Sequence, residues 1–104
     1  MLDLRPNCQL CDCDLPPSSD QARICSYECT YCATCVETVL HNVCPTCAGN
    51  FVPRPIRPQR AWREGKIVGL RHHPADTQRR HVGFSTAEIT AFVTPIKGVP
   101  PNQR

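Results

Sequence analysis

Apolar positions fall into two short periodic runs divided by long polar stretches. In the first, from about Ala33 to His41, Val36, Val39, Leu40 and Val43 recur at i, i+3, i+4 and i+7, the stripe of an amphipathic helix. The second, about Thr86 to Val93, has a modest apolar face from Ala87, Ile89, Ala91, Phe92 and Val93. Ser85 followed three residues on by Glu88 is a capping-box signature, and Pro95 bars further helix. Lys66 to Leu70 reads weakly as a strand. The run Pro53-Arg54-Pro55-Ile56-Arg57-Pro58-Gln59-Arg60 excludes an ordinary helix and reads as a linker. The chain thus divides into residues 1–52, a linker at 53–60 and an extension at 61–104 with a short helix near 86–93. No long-period repeat is present.

At 104 residues the chain offers room for one small domain and a tail. Domains of this size bury little surface and need staples. Nine cysteines, all between Cys8 and Cys47, are the obvious staples. The first residues show no basic start followed by an apolar run, and no stretch approaches the roughly 18 apolar residues of a membrane span. Metal in a reducing, cytoplasmic setting is therefore expected over disulfides, and no membrane association is expected.

The cysteine spacing is more specific than their number. It reads Cys8-x2-Cys11, thirteen residues, Cys25-x3-Cys29, two residues, Cys32-x2-Cys35, eight residues, Cys44-x2-Cys47. Four doublets supply eight ligands, enough for two closed four-coordinate zinc sites. Sequential pairing would join the first doublet to the second and the third to the fourth. Alternating pairing would join Cys8, Cys11, Cys32 and Cys35 in one site and Cys25, Cys29, Cys44 and Cys47 in the other. The helix favours the second arrangement, because Cys32 and Cys35 then sit at its first turn, where free amides and the dipole stabilise thiolate. The fold expected is a small metal-stabilised domain, a RING-like or treble-clef cross-brace with one short helix and short hairpins, followed by a basic, partly irregular C-terminal extension. Ligand type leaves iron as the alternative metal.

The order of doublets, the short second gap and the ending Cys44-Pro45-Thr46-Cys47 resemble a RING-type cross-brace with cysteine at all eight positions. The chain more closely resembles a family of short bacterial proteins, domain of unknown function family 1272. The residues that carry this are Met1-Leu2-Asp3-Leu4-Arg5-Pro6-Asn7-Cys8, Asp14-Leu15-Pro16-Pro17, Ala22-Arg23-Ile24-Cys25-Ser26, Cys32-Ala33 and Val43-Cys44-Pro45. The resemblance covers roughly residues 1–58 and implies bacterial origin. The chain departs from that pattern at Cys13, which reads first as a spare thiol, with competition with Cys11 as a ligand and redox activity as the alternatives. The RING resemblance further implies that Leu10 and Pro45 match positions that touch a ubiquitin-conjugating enzyme. Val39 stands where tryptophan is frequent and Ala48 where active members carry arginine, so the match supports fold more than ligase activity.

Charge separates the two halves. Residues 1–52 carry Arg5 and Arg23 against six acidic residues, a net of −4, while residues 53–104 carry a net of +7. Eight thiolates on two divalent ions would bring the whole chain from +3 to about −1, which removes any global argument for nucleic acid. Three functional readings follow. One is a protein-interaction or regulatory adaptor, with Leu10, Tyr27, Tyr31 and Val39 as an apolar patch or as a cover for the metal sites. Another is nucleic-acid binding through Arg54, Arg57, Arg60, Arg63, Lys66 and Arg71, with Trp62 for stacking. The third is the ligase-like activity. Four-thiolate metal is a poor Lewis acid, and no paired acid and base stand near the cysteines, so no enzyme is expected. His41 reads as a helix-end residue, and His72, His73 and His81 as surface.

Overall fold

The computed structural model describes all 104 residues, Met1 to Arg104. Three short strands form one antiparallel sheet: β1 (Ala22–Ile24), β2 (Thr30–Cys32) and β3 (Val52–Pro53), in the order β2-β1-β3. Arg23 faces Tyr31 across one ladder and Pro53 across the other. Pro53 has no N–H to offer a further strand, which suits its place at the sheet edge. Between β1 and β2 the chain turns over Cys25 to Cys29, closed by Glu28 N–H donating to the Cys25 carbonyl at 3.0 Å.

Helix α1 (Ala33–Cys35) follows β2 directly, with Cys32 as its N-cap. It runs on as a π-helical turn, Val36–Leu40, that stops where His41 and Asn42 enter the left-handed region at φ 47° and 60°. The apolar stripe read from the sequence therefore lies on one wide turn, with Val36, Leu40 and Val43 buried. Helix α2 (Thr86–Val93) carries a complete capping box: the Ser85 hydroxyl accepts from Glu88 N–H, and the Glu88 carboxylate accepts from Ser85 N–H. Residues 66–70 form no strand. Gly69 lies there at φ 94°, and a Cβ on it would come within 2.9 Å of the Arg60 carbonyl carbon. That close approach, with Leu70 N–H bonded to the Pro58 carbonyl at 2.8 Å, closes an exposed loop over residues 59–69.

The core is small and rich in sulfur. Of the fifteen residues in the main buried cluster, six are cysteine. The rest include Leu15, Tyr31, Leu40, Val43 and Phe51, with Tyr31 and Phe51 meeting edge to face at 5.4 Å. Ile89 and Val93 of α2, each 1 % exposed, belong to the same cluster. The C-terminal extension is thus folded back over the cysteine-bearing part.

Polar contacts fix the same wrapping. Val82 N–H donates to the Gln9 carbonyl at 2.8 Å. Arg79 bridges Asp12 and Asp14, and Arg80 bridges Asp3 and Asp76. Arg104 donates to the carbonyls of Asn42 and Ala48. The segment read as a linker is tied down as well. Arg54 is only 4 % exposed and donates to the carbonyls of Arg5, Leu15 and Pro16, while Arg57 donates to those of Leu2 and His73.

Replacing Arg54 by Met keeps the aliphatic stem but leaves buried carbonyls without donors. Urea unfolding should show a loss of about 2–3 kcal/mol, and an unchanged midpoint would contradict the role given to this guanidinium. Ile89→Ala should cost about 2–4 kcal/mol, seen first as faster amide exchange in α2.

Candidate metal centres

The turns that carry the cysteines share one device. Backbone amides two to four residues further on draw the first sulfur of each doublet toward the thiolate. Leu10 and Cys11 do so for Cys8, Tyr27 and Cys29 for Cys25, and Thr46 and Cys47 for Cys44. Cys32, capping α1, receives Cys35 N–H at 3.4 Å. An amide aimed at sulfur favours the thiolate over the thiol. A tight turn thereby places and polarises its sulfur at once.

These turns converge in two places. Cys8, Cys11, Cys13 and Cys32 bring their sulfurs within 4.8 Å of one another, and Cys25, Cys44 and Cys47 do the same. All nine cysteines are free thiols. Cys11 Sγ and Cys32 Sγ lie 3.8 Å apart. A tetrahedron of sulfurs at about 2.3 Å from a central ion has edges of about 3.8 Å, so this spacing fits a metal ion. Cys29, whose thiol meets those of Cys25 and Cys44, stands outside the tight trio. Cys35 likewise meets Cys32 and Cys11 but stands outside the first group. Neither group contains a histidine.

Cys13 is the residue that the sequence does not place. It reads there as a spare, yet its sulfur joins Cys8, Cys11 and Cys32. The one sequence signal was its separation from Cys11 by a single residue. Residues two apart in an extended chain share a face, and with Asp12 between them at φ 66° the chain turns left-handed while both sulfurs stay with the cluster.

The thiols polarise one another strongly. Hydrogen bonds from Cys29 and Cys44 pull Cys25 down to about 2. The same contact with Cys25 pushes Cys44 and Cys29 up. Burial works against ionisation of Cys11, but the Cys13 amide and the thiols of Cys13, Cys8 and Cys32 outweigh it and bring Cys11 to about 7. Burial, joined by Cys11, pushes Cys13 up to about 12. Burial also raises Cys8 and, with Cys32, Cys35.

The remaining sequence candidates are dispersed. Tyr31 is fully buried, and Leu10 and Val39 pack half-buried against the core, so of the apolar patch only Tyr27 is exposed. The Tyr31 hydroxyl has no hydrogen-bond partner, and burial beside Cys44, Cys29, Cys25 and Cys8 raises its pKa. Pro45 is buried and lines a cleft with Phe84, Glu88, Ile89 and Phe92, and Val39 lines another with Thr86, Thr90 and Val93. Of the two positions that the RING resemblance assigns to a conjugating enzyme, Pro45 is faced by residues 84–92 of the chain itself. Arg54 and Arg57, two of the arginines proposed for nucleic acid, are engaged by backbone carbonyls. Arg60 lies over the Trp62 ring at 4.1 Å.

The raised thiols set the sign of a pH effect. Cys8, Cys29, Cys35 and Cys44 keep their protons at neutral pH in the metal-free chain and lose them on joining a metal. Metal uptake should therefore release protons, and affinity should fall as pH falls. Calorimetry in buffers of different ionisation enthalpy measures the release, and a buffer-independent heat would contradict these assignments.

A profile described as "Protein of unknown function (DUF1272)" matches residues 1–57. An uncharacterised protein of Rhizobium meliloti (strain 1021) is 51% identical over 79 residues, covering 76% of this chain and 84% of that protein. No solved structure matches. No helix is long and apolar enough to cross a membrane.

Proposed function

The chain belongs to the DUF1272 family, and from that premise we propose that it is a zinc-stabilised, non-enzymatic protein-interaction module of the bacterial cytoplasm. The observation that carries the metal part is the convergence of sulfurs at two points, one pair at the edge length of a metal–sulfur tetrahedron. The donor set is all sulfur, which suits structural zinc. Nine reduced cysteines suit a reducing compartment. Three doublets from turns and one from a helix start, interleaved along the chain, suit a treble-clef or RING-like cross-brace.

The interaction surface proposed is the exposed loop that Gly69 closes. Trp62 and Ile67 are 75 % and 71 % exposed there, with Val68 beside them and Ile56 just before. Arg60, Arg63, Lys66 and Arg71, all exposed, flank them along the chain, against a single acidic residue, Glu64. Apolar side chains with an excess of cations suit an acidic patch on a partner protein with an apolar centre. A protein partner is favoured over nucleic acid because Arg54 and Arg57 face inward and Arg60 occupies one face of the only tryptophan.

Intact-protein mass spectrometry under native conditions should find two zinc ions per chain. A strong chelator should abolish the native dichroism, because metal binding and folding are coupled in so small a core. Native dichroism after verified metal removal, or two iron ions in place of zinc, would refute this part. For the surface, crosslinked partners recovered from the host with the wild-type chain should be lost with Trp62→Ala/Ile67→Asp. Salt-sensitive binding to a single-stranded oligonucleotide, with no protein partner, would replace this reading with the nucleic-acid one.

A further inference from the structure

The first cysteine cluster contains more sulfur than one tetrahedral ion can use. Cys8, Cys11, Cys13 and Cys32 are mutually close, and Cys35, on the first turn of α1 with its N–H donating to Cys32 Sγ, is a fifth cysteine beside them. We propose that Cys8, Cys11 and Cys32 are constant ligands of this centre, and that Cys13 and Cys35 alternate in the fourth position. The inference rests on the metal reading given above and extends it to a residue outside the four doublets.

Each competitor is supported from a different part of the chain. Cys35 is held by the first turn of α1, and its own N–H donates to Cys32 Sγ. Cys13 is held by its loop. Cys8 N–H donates to the Cys13 carbonyl and Asp12 N–H to the Cys8 carbonyl, both at 2.9 Å. The left-handed Asp12 is pinned by Asn7 Nδ2 at 2.9 Å. Arg79, from the C-terminal extension, grips Asp12 and Asp14 on either side of Cys13. Cys13 is thus presented to the cluster by a clamp made sixty-odd residues away.

The exchange is balanced in protons and charge. When Cys13 enters, its S–H proton leaves and its sulfur bonds to the ion. The bond to Cys35 breaks, and that sulfur takes up a proton. The centre keeps four thiolates throughout and one neutral thiol stands beside it. Because Cys13 is exposed and Cys35 is buried, the free thiol is accessible in one state and shielded in the other.

Four chains loaded with zinc test this: wild type, Cys13→Ser, Cys35→Ser and the double variant. Native mass spectrometry should find two ions in the first three and one in the double variant, the remaining ion reporting that the second centre is intact. Brief alkylation with iodoacetamide, mapped by peptide, should mark Cys13 in only a fraction of wild-type chains and in none of the Cys35→Ser chains, where it is held as a ligand, while the buried Cys35 reacts only after denaturation. Arg79→Ala should raise the marked fraction of Cys13. Loss of an ion in either single variant, complete marking of Cys13 in wild type or in Cys35→Ser, or two ions in the double variant would overturn the exchange. A wild-type chain holding fewer than two ions would instead overturn the metal-centre reading beneath it.

Discussion

Thiolates crowded together repel one another unless a cation lies among them, and neutral thiols in the same place pack poorly. That constraint governs the cysteine-bearing part of this chain. Six of the fifteen residues in its buried cluster are cysteine, and the apolar residues around them, Leu15, Tyr31, Leu40, Val43 and Phe51, are too few to close a core unaided. The thiols of the second cluster polarise one another, Cys25 being drawn down by Cys29 and Cys44 while those two are pushed up by Cys25. Placing a divalent ion at each cluster removes the conflict, and the backbone amides aimed at Cys8, Cys25, Cys32 and Cys44 already favour the charged form.

The two halves also complement each other in charge and in apolar surface. The acidic first half and the basic second half would each repel itself if isolated. In the folded chain Arg79 and Arg80 reach Asp3, Asp12 and Asp14, so part of the excess of each half is neutralised by the other. Ile89 and Val93 supply apolar surface that the cysteine-bearing half lacks, and they cover the side of the π-helical turn and Pro45. Basic residues that looked available for a polyanion are thereby divided. Arg54 and Arg57 bind carbonyls, while the loop keeps Arg63 and Lys66 exposed.

The parts legible in the sequence are those set by local rules. The capping box at Ser85 and Glu88 depends on four consecutive residues, and so is readable without knowing what α2 packs on. The helix after Cys32 was legible in its apolar spacing. Its widening into a π-helical turn was not, since that depends on where the chain must bring Val43 and Cys44 next. Lys66 to Leu70 misled because its apolar residues face solvent in a loop whose shape is dictated by Gly69 against the Arg60 backbone, a contact between distant positions. Arg54 was misjudged for the same reason: nothing in Pro-Arg-Pro announces three carbonyls waiting elsewhere. Cys13 read as a spare, ahead of its reading as a competitor of Cys11, because four doublets already supply eight ligands, and the left-handed Asp12 that shapes its loop is fixed by Asn7 and by the distant Arg79.

Those last contacts give the C-terminal extension a specific mechanical relation to the first cluster. Its α2 packs on the turn that continues from Cys35, so it supports one competitor for the fourth position. Its Arg79 holds the loop that presents the other. A movement that loosened Arg79 without disturbing α2 would favour Cys35, and one that lifted α2 would favour Cys13. The second cluster is touched differently, through Arg104 donating to the carbonyls of Asn42 and Ala48 on either side of the Cys44–Cys47 turn. The extension can therefore bias ligand choice at one centre while bracing the other, and the exposed Trp62 loop lies on the same segment, between Arg54 and Arg79. On the proposed reading, a partner bound at that loop would be linked to the first cluster by covalent continuity and by Arg79, with no need to approach either cluster.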